Sequence, residues 1–150
     1  MSDILSTVYA AAKAMHVSAA LLVAVCSQET GLKNITNYQD GTSDSIGVCQ
    51  LKTDTANFLV NNYHLKHHIT SESLSNPKTN AYFAALYLKY QLDRYDQNWY
   101  QAVAAYNAGS YIERKRKPGY AINHWYAMKV MEKLPLEFQP KILYPESILK

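Results

Sequence analysis

Glu29 is the one charged residue in the run 17–31, VSAALLVAVCSQETG. Read as a helix, this segment has a capping serine at Ser18 and a stopping glycine at Gly31. Leu21, Val25 and Glu29 then share one face, so a stripe that seeks the core ends in an acid at the helix C-terminus. Apolar neighbours and the negative end of the helix dipole both disfavour a carboxylate, and a glutamate so placed is expected to have a raised pKa. That is how a general acid is prepared near neutral pH. An isolated glutamate in a last helical turn more often faces solvent; the case for Glu29 rests on two segments further along the chain.

The elements that must hold such a group are helical. The pattern predicts helices over about 3–15, 18–30, 54–63, 77–95, 98–108 and 120–134. Pro77 in a first turn and Gly109 just past a last one suit those boundaries. In the fourth helix Ala81, Ala84, Ala85, Leu88 and Leu92 fall at core-facing spacing. Between Gly31 and Leu51 the turn formers Asn34, Asn37, Asp40, Gly41, Ser43, Asp44 and Gly47 interrupt the helices, giving a loop or short irregular hairpin. Pro135, Pro140 and Pro145 mark an irregular tail. The fold class is therefore all-α with one irregular segment at about 31–51. At 150 residues the chain is read as one domain.

The two segments come after Glu29 in order: Ser45-Ile46-Gly47-Val48-Cys49-Gln50-Leu51 and Ala104-Ala105-Tyr106-Asn107-Ala108-Gly109. With Glu29-Thr30 they resemble the signature of the lytic transglycosylase (SLT) domain: a buried helix ending in Glu-Ser, a Gly-Leu-Met-Gln turn, and Ala-Tyr-Asn-Ala-Gly. Asn76-Pro77-Lys78-Thr79-Asn80 opens the intervening helix, as in many members. The resemblance runs from about Val17 to Gly109, with a weaker echo to residue 134. It implies a single lysozyme-like domain that cleaves peptidoglycan glycan strands.

The resemblance also implies roles. Glu29 protonates the oxygen between N-acetylmuramic acid and N-acetylglucosamine, then takes the proton of the muramoyl C6 hydroxyl as that oxygen attacks C1, leaving a 1,6-anhydro ring. Thr30, Ser45, Gly47, Gln50, Tyr106, Asn107 and, more weakly, Tyr126 are assigned to substrate binding, with the Tyr106 hydroxyl orienting the Glu29 carboxyl. No metal or cofactor is called for. Goose-type lysozymes share these motifs but hydrolyse the bond with aspartates that position water. One such aspartate typically lies two residues after the motif glutamine, where this chain has Lys52, while Asp40 and Asp44 stand in the loop. A third reading is a wall-binding or secretion-machine component that keeps the fold without catalysis.

Composition is that of a globular protein, with 48% hydrophobic and 18% charged residues, which excludes a disordered chain. Thirteen tyrosines offer flat faces suited to sugar rings or to a core. The net charge of +3 includes the run Glu113-Arg114-Lys115-Arg116-Lys117, read as a solvated loop that speeds encounter with an anionic wall at low salt. No nucleic-acid module accompanies it, and nucleic acid is not an expected partner. Cys26 and Cys49 are read as two small buried thiols, a disulfide between them being the alternative. No stretch is apolar enough for stable membrane insertion. The expected protein is a monomer without signal peptide, made in a host cytoplasm and acting on the cell wall as a bacteriophage endolysin or virion protein.

Overall fold

The computed structural model describes residues 3–40 and 43–142. Gly41 and Pro145, expected from the sequence to be a turn former and a tail marker, lie outside them. The chain divides into two compact units, residues 1–87 and 88–150.

In the first unit α1 (Asp3–Ala14) packs on α2 (Ala19–Thr30), burying Val8, Ala11 and Ala12. The limits of α2 are set by its flanking residues. The Ser18 hydroxyl accepts from the Leu21 N–H at 3.2 Å, and Gly31 takes the left-handed φ of 68° that ends the helix, its N–H donating to the Ser27 carbonyl at 2.8 Å. Both are the capping solutions expected for these residue types. Leu21, Leu22, Ala24, Val25 and Cys26 are fully buried, so α2 is wrapped on most sides and its polar end is the exception.

The interrupted stretch is a hairpin, β1 (Thr36–Asp40) against β2 (Ser43–Ile46), antiparallel, with Thr36 opposite Ile46, Asn37 opposite Ser45 and an irregularity between Asn37 and Asp40. A tight turn comes next, closed by reciprocal backbone bonds between Ile46 and Leu51 of 2.8 and 3.0 Å. Then come α3 (Thr53–Asn62) and the one-turn α4 (Ser71–Leu74), the latter started by a capping box between Thr70 and Ser73. The sequence pattern did not reveal α4.

The helix α5 (Pro77–Arg94) carries the chain from one unit to the other, with Ala81, Ala84, Ala85, Leu88 and Leu92 buried as the spacing predicts. In the second unit α6 (Trp99–Ala108) starts at Asn98, whose side chain accepts from the Gln101 N–H at 2.9 Å. The basic run departs from expectation: it is not a loop but part of a hairpin, β3 (Glu113–Arg114) against β4 (Lys117–Ala121). The sixth predicted helix consequently begins not at residue 120 but at α7 (His124–Glu132). A 3-10 helix, Leu136–Ile142, packs on α6 and α7, with Ile142 fully buried. No helix among the described residues is long and apolar enough to cross a membrane.

Candidate active site

Glu29 lies in the last turn of α2, half-buried, on the face that carries the fully buried Leu21 and Val25. Two ties on either side of it bind that turn to the segment 46–51. One is covalent. Cys26 and Cys49 form a disulfide with a Cα–Cα distance of 4.4 Å, so the reading of two separate buried thiols is wrong. The other is polar: the Thr30 hydroxyl donates to the Val48 carbonyl at 2.6 Å and accepts from the Lys33 N–H at 3.0 Å. A hydroxyl has one proton, and the short bond to Val48 takes it. Thr30 thus fastens the end of the helix to the turn.

The turn is held from its far side by Asn80 of α5, fully buried. Its amide nitrogen donates to the carbonyls of Ile46 at 2.8 Å and Leu74 at 2.9 Å, and its oxygen accepts from the Cys49 N–H at 2.9 Å. This contact explains Gly47. With φ at 81° the residue is in the region L side chains avoid, and a Cβ there would stand 2.5 Å from the Asn80 amide nitrogen. The Gly47 N–H donates to the Ile35 carbonyl at 2.7 Å.

Gln50, at φ 55°, braces the turn against the strand that precedes it. Its amide nitrogen donates to the carbonyls of Ile35 at 3.1 Å and Gly47 at 3.0 Å, and its oxygen accepts from the Asn37 amide. Ser45, only 3% exposed, lies within β2. Lys52 directs its ammonium at the Ser43 carbonyl, 3.3 Å away. Glu29, Thr30, Ser45, Gly47 and Gln50 are therefore parts of one cross-braced structure. Sequence inspection missed Asn80 as its hub; the signal available was the Asn-Pro-Lys-Thr-Asn opening of α5.

The remaining candidates belong to the second unit. Tyr106 is buried near the end of α6, Asn107 is exposed, and Tyr126 is buried in α7. The end of α6 is capped from α5. Gln91, fully buried, donates to the carbonyls of Ala105 at 3.4 Å and Gly109 at 3.2 Å, while Arg94 donates to Gly109 at 2.9 Å and to the Ser110 hydroxyl at 2.7 Å. These contacts satisfy carbonyls that a helix end otherwise leaves unpaired. Asn123 sets the direction of Asn107: its amide nitrogen donates to the Ala104 carbonyl at 2.9 Å and to the Asn107 side-chain oxygen at 2.8 Å. The Asn123 oxygen itself is buried without a hydrogen-bond partner among the described residues.

Beside them lies an aromatic cluster. The Tyr100 hydroxyl accepts from the Ala121 N–H at 2.8 Å and meets His124 Nδ1 at 2.8 Å. Burial holds the His124 pKa below its ordinary value, and the charges of Arg114 and Lys117 lower it further. Tyr111 is shifted the opposite way: burial raises its phenol, and the Glu113 carboxylate, which its hydroxyl contacts at 3.2 Å, raises it more. Among the described residues no cluster of three or more His, Cys, Asp or Glu is arranged to hold a metal.

An α-rich chain whose turn and hairpin brace a helix-end glutamate has the lysozyme-like fold of the SLT proteins. Residues 6–124 match the transglycosylase SLT domain family. That is more than half of the chain, and the chain belongs to this family. Two solved structures share the fold. One is an inactive glutamate-to-glutamine mutant of the lytic transglycosylase Slt from Pseudomonas aeruginosa, with a TM-score of 0.61 and 21% identity. The other is the 70 kDa soluble lytic transglycosylase Slt70 from Escherichia coli, with a TM-score of 0.61 and 20% identity. Each alignment covers 91% of this chain and 22% of the neighbour, so the chain spans roughly a fifth of either protein. No curated protein sequence matches it.

Proposed function

We propose that this domain cleaves the β-1,4 bond between N-acetylmuramic acid and N-acetylglucosamine in peptidoglycan, with Glu29 as the single acid/base. The observation that carries this reading is the placement of Glu29 in a last helical turn tied by Cys26–Cys49 and Thr30–Val48 to the segment 46–51. A proton donor is effective when its geometry is fixed before substrate arrives. In the reaction the Glu29 carboxyl gives its proton to the leaving oxygen as the bond to C1 breaks. The carboxylate then takes the proton of the muramoyl C6 hydroxyl, whose oxygen forms the new bond to C1. No water is consumed, and Glu29 ends as it began. That an Slt relative is described as inactive with a glutamate changed to glutamine supports assigning the chemistry to one carboxyl.

The binding roles divide by exposure. Asn107, exposed and aligned by Asn123, is assigned a hydrogen bond to the glycan. Partly exposed Gln50 and the 47–49 backbone are assigned contacts to its N-acetyl and hydroxyl groups. Thr30, Ser45, Tyr106 and Tyr126 are assigned to holding those groups in place. Lys52, bonded to the Ser43 carbonyl, occupies the position where a goose-type hydrolase would carry an aspartate, which favours the transglycosylase outcome. The disulfide supports action in an oxidising compartment such as the one that contains the cell wall. Wall lysis in a bacteriophage setting is the finer part of the proposal, tested by loss of turbidity of permeabilised cells.

The deciding experiment is mass spectrometry of sugars released from purified peptidoglycan by the wild type and Glu29→Gln. Anhydromuramoyl products from the wild type alone are expected. Reducing-end products would move the assignment to hydrolysis, and no products from the wild type would overturn an enzymatic role on this substrate.

A further inference from the structure

The β3–β4 hairpin concentrates charge that the protein itself does not balance. Arg114, Lys115, Arg116 and Lys117 are all exposed, and none forms an ion pair with a described residue. Arg114 and Lys117 stand directly opposite each other in register, a placement that is repulsive in isolation. The single acid of the hairpin, Glu113, is engaged elsewhere: its Oε1 accepts from the Gly119 N–H at 2.9 Å and from the Tyr111 hydroxyl. The hairpin is nonetheless firmly built. The Arg114 Nε donates to the Ala121 carbonyl at 3.1 Å, and the Lys117 ammonium sits 4.2 Å from the centre of the Tyr120 ring. Both contacts anchor the base of the hairpin and leave Lys115 and Arg116 at its tip.

Large apolar side chains stand uncovered at the foot of the same hairpin. Ile112 and Ile122 are joined by a backbone bond of 2.8 Å and are 46% and 50% exposed. One residue beyond the opposite-facing pair Glu113 and Ala121, they project from the same side of the ribbon. Trp125, in the first turn of α7, is 59% exposed. Four exposed cations on one hairpin, two exposed isoleucines at its foot and an exposed tryptophan three residues further along the chain are the composition that binds an anionic lipid surface. The cations meet the headgroups while the apolar residues and indole settle at the headgroup level.

We propose that the β3–β4 hairpin, with Ile112, Ile122 and Trp125, is a peripheral docking surface for an anionic phospholipid bilayer. Such a contact does not insert a span. It would hold the domain on a membrane by charge first and by shallow apolar contact second.

The test is co-sedimentation of the purified protein with vesicles of phosphatidylcholine alone or mixed with phosphatidylglycerol, at low and high salt. The variants are Lys115→Glu/Arg116→Glu, whose side chains form no ion pair with a described residue, and Trp125→Ala. The wild type is expected to partition onto the mixed vesicles only, more weakly at high salt. At about a fivefold change per charge, loss of the two cations alone should reduce partitioning about 25-fold, and their reversal by more, and Trp125→Ala should weaken the part that survives high salt. The circular dichroism spectrum of the charge-reversed variant should be unchanged. Equal partitioning of wild type and charge-reversed protein, no partitioning of the wild type, or retention on purified teichoic acid or DNA without any on mixed vesicles would overturn the proposal.

Discussion

Gly47 and Asn80 are two halves of one contact, and their energetics are correspondingly shared. A methyl at 47 meets the Asn80 amide at 2.5 Å in a backbone conformation with φ at 81°. Gly47→Ala should therefore cost about 2 kcal/mol or more, from backbone strain and from displacing a buried, fully bonded amide. Asn80→Ala leaves the Ile46 and Leu74 carbonyls and the Cys49 N–H without this partner, and should cost about 2–4 kcal/mol. In the double variant the clash is gone while the strained φ stays, so denaturant unfolding should give a sum smaller than its parts. Additive costs would mean that the amide and the Gly47 backbone do not share their strain.

His124 yields a pH dependence at the same scale. Its imidazole is less basic in the folded chain because it is buried and faces Arg114 and Lys117. The unfolded chain then binds the proton more readily. This group's contribution to stability is therefore full above the ordinary value of 6.5 and declines as pH falls through 6.5 towards the lower folded pKa. Titration of the imidazole by NMR should find it below 6.5, and higher in Arg114→Gln than in the wild type; a midpoint at the ordinary value would remove this dependence.

At the scale of elements, the disulfide closes a segment with a sequence separation of 23 residues that contains the end of α2 and the whole β1–β2 hairpin. Loop-closure entropy for a segment of this size is about 3 kcal/mol, so Cys26→Ser/Cys49→Ser should lower the melting temperature markedly. Reductant should bring the wild type down to the same value. If reductant leaves the wild-type transition unmoved, the bridge contributes no stability. The elements themselves were unequally legible. Ser18, Gly31, Pro77, Asn98 and Gly109 announce helix ends through their own conformational preferences, so α2, α5 and α6 emerge from local chemistry. The one-turn α4 is too short for any periodicity. The β3–β4 hairpin escaped because its strands are brief, one contains Pro118, and like charges face each other across it. What makes it a hairpin is the grip of Tyr100, Tyr120 and Glu113, which lies beyond the reach of local pattern.

For the whole molecule, the family could be read from short motifs because each serves a backbone need as well as a chemical one. Gly47 is required by a positive φ and a close approach, and Glu29 is noticeable because little else in α2 is polar. The partners that hold these motifs were not legible in the same way. Asn80 lies 33 residues beyond Gly47, and the Cys26–Cys49 link depends on a helix face and a turn meeting in space. Only the folded chain brings such pairs together. The net charge of +3 likewise conceals its distribution: four cations stand in sequence at residues 114–117, while Lys89–Asp93 and Lys129–Glu132 are locally neutral pairs.

The close approach of Gly47 and Asn80 also orders the routes by which descendants of this chain can vary. While the amide stands at 80, any change at 47 meets both a steric barrier and a backbone one, so the glycine is locked in. Once 80 has become smaller, only the backbone barrier remains, and a residue that tolerates positive φ, such as asparagine, becomes admissible at 47. The pair can drift in one sequence of steps and not in the reverse.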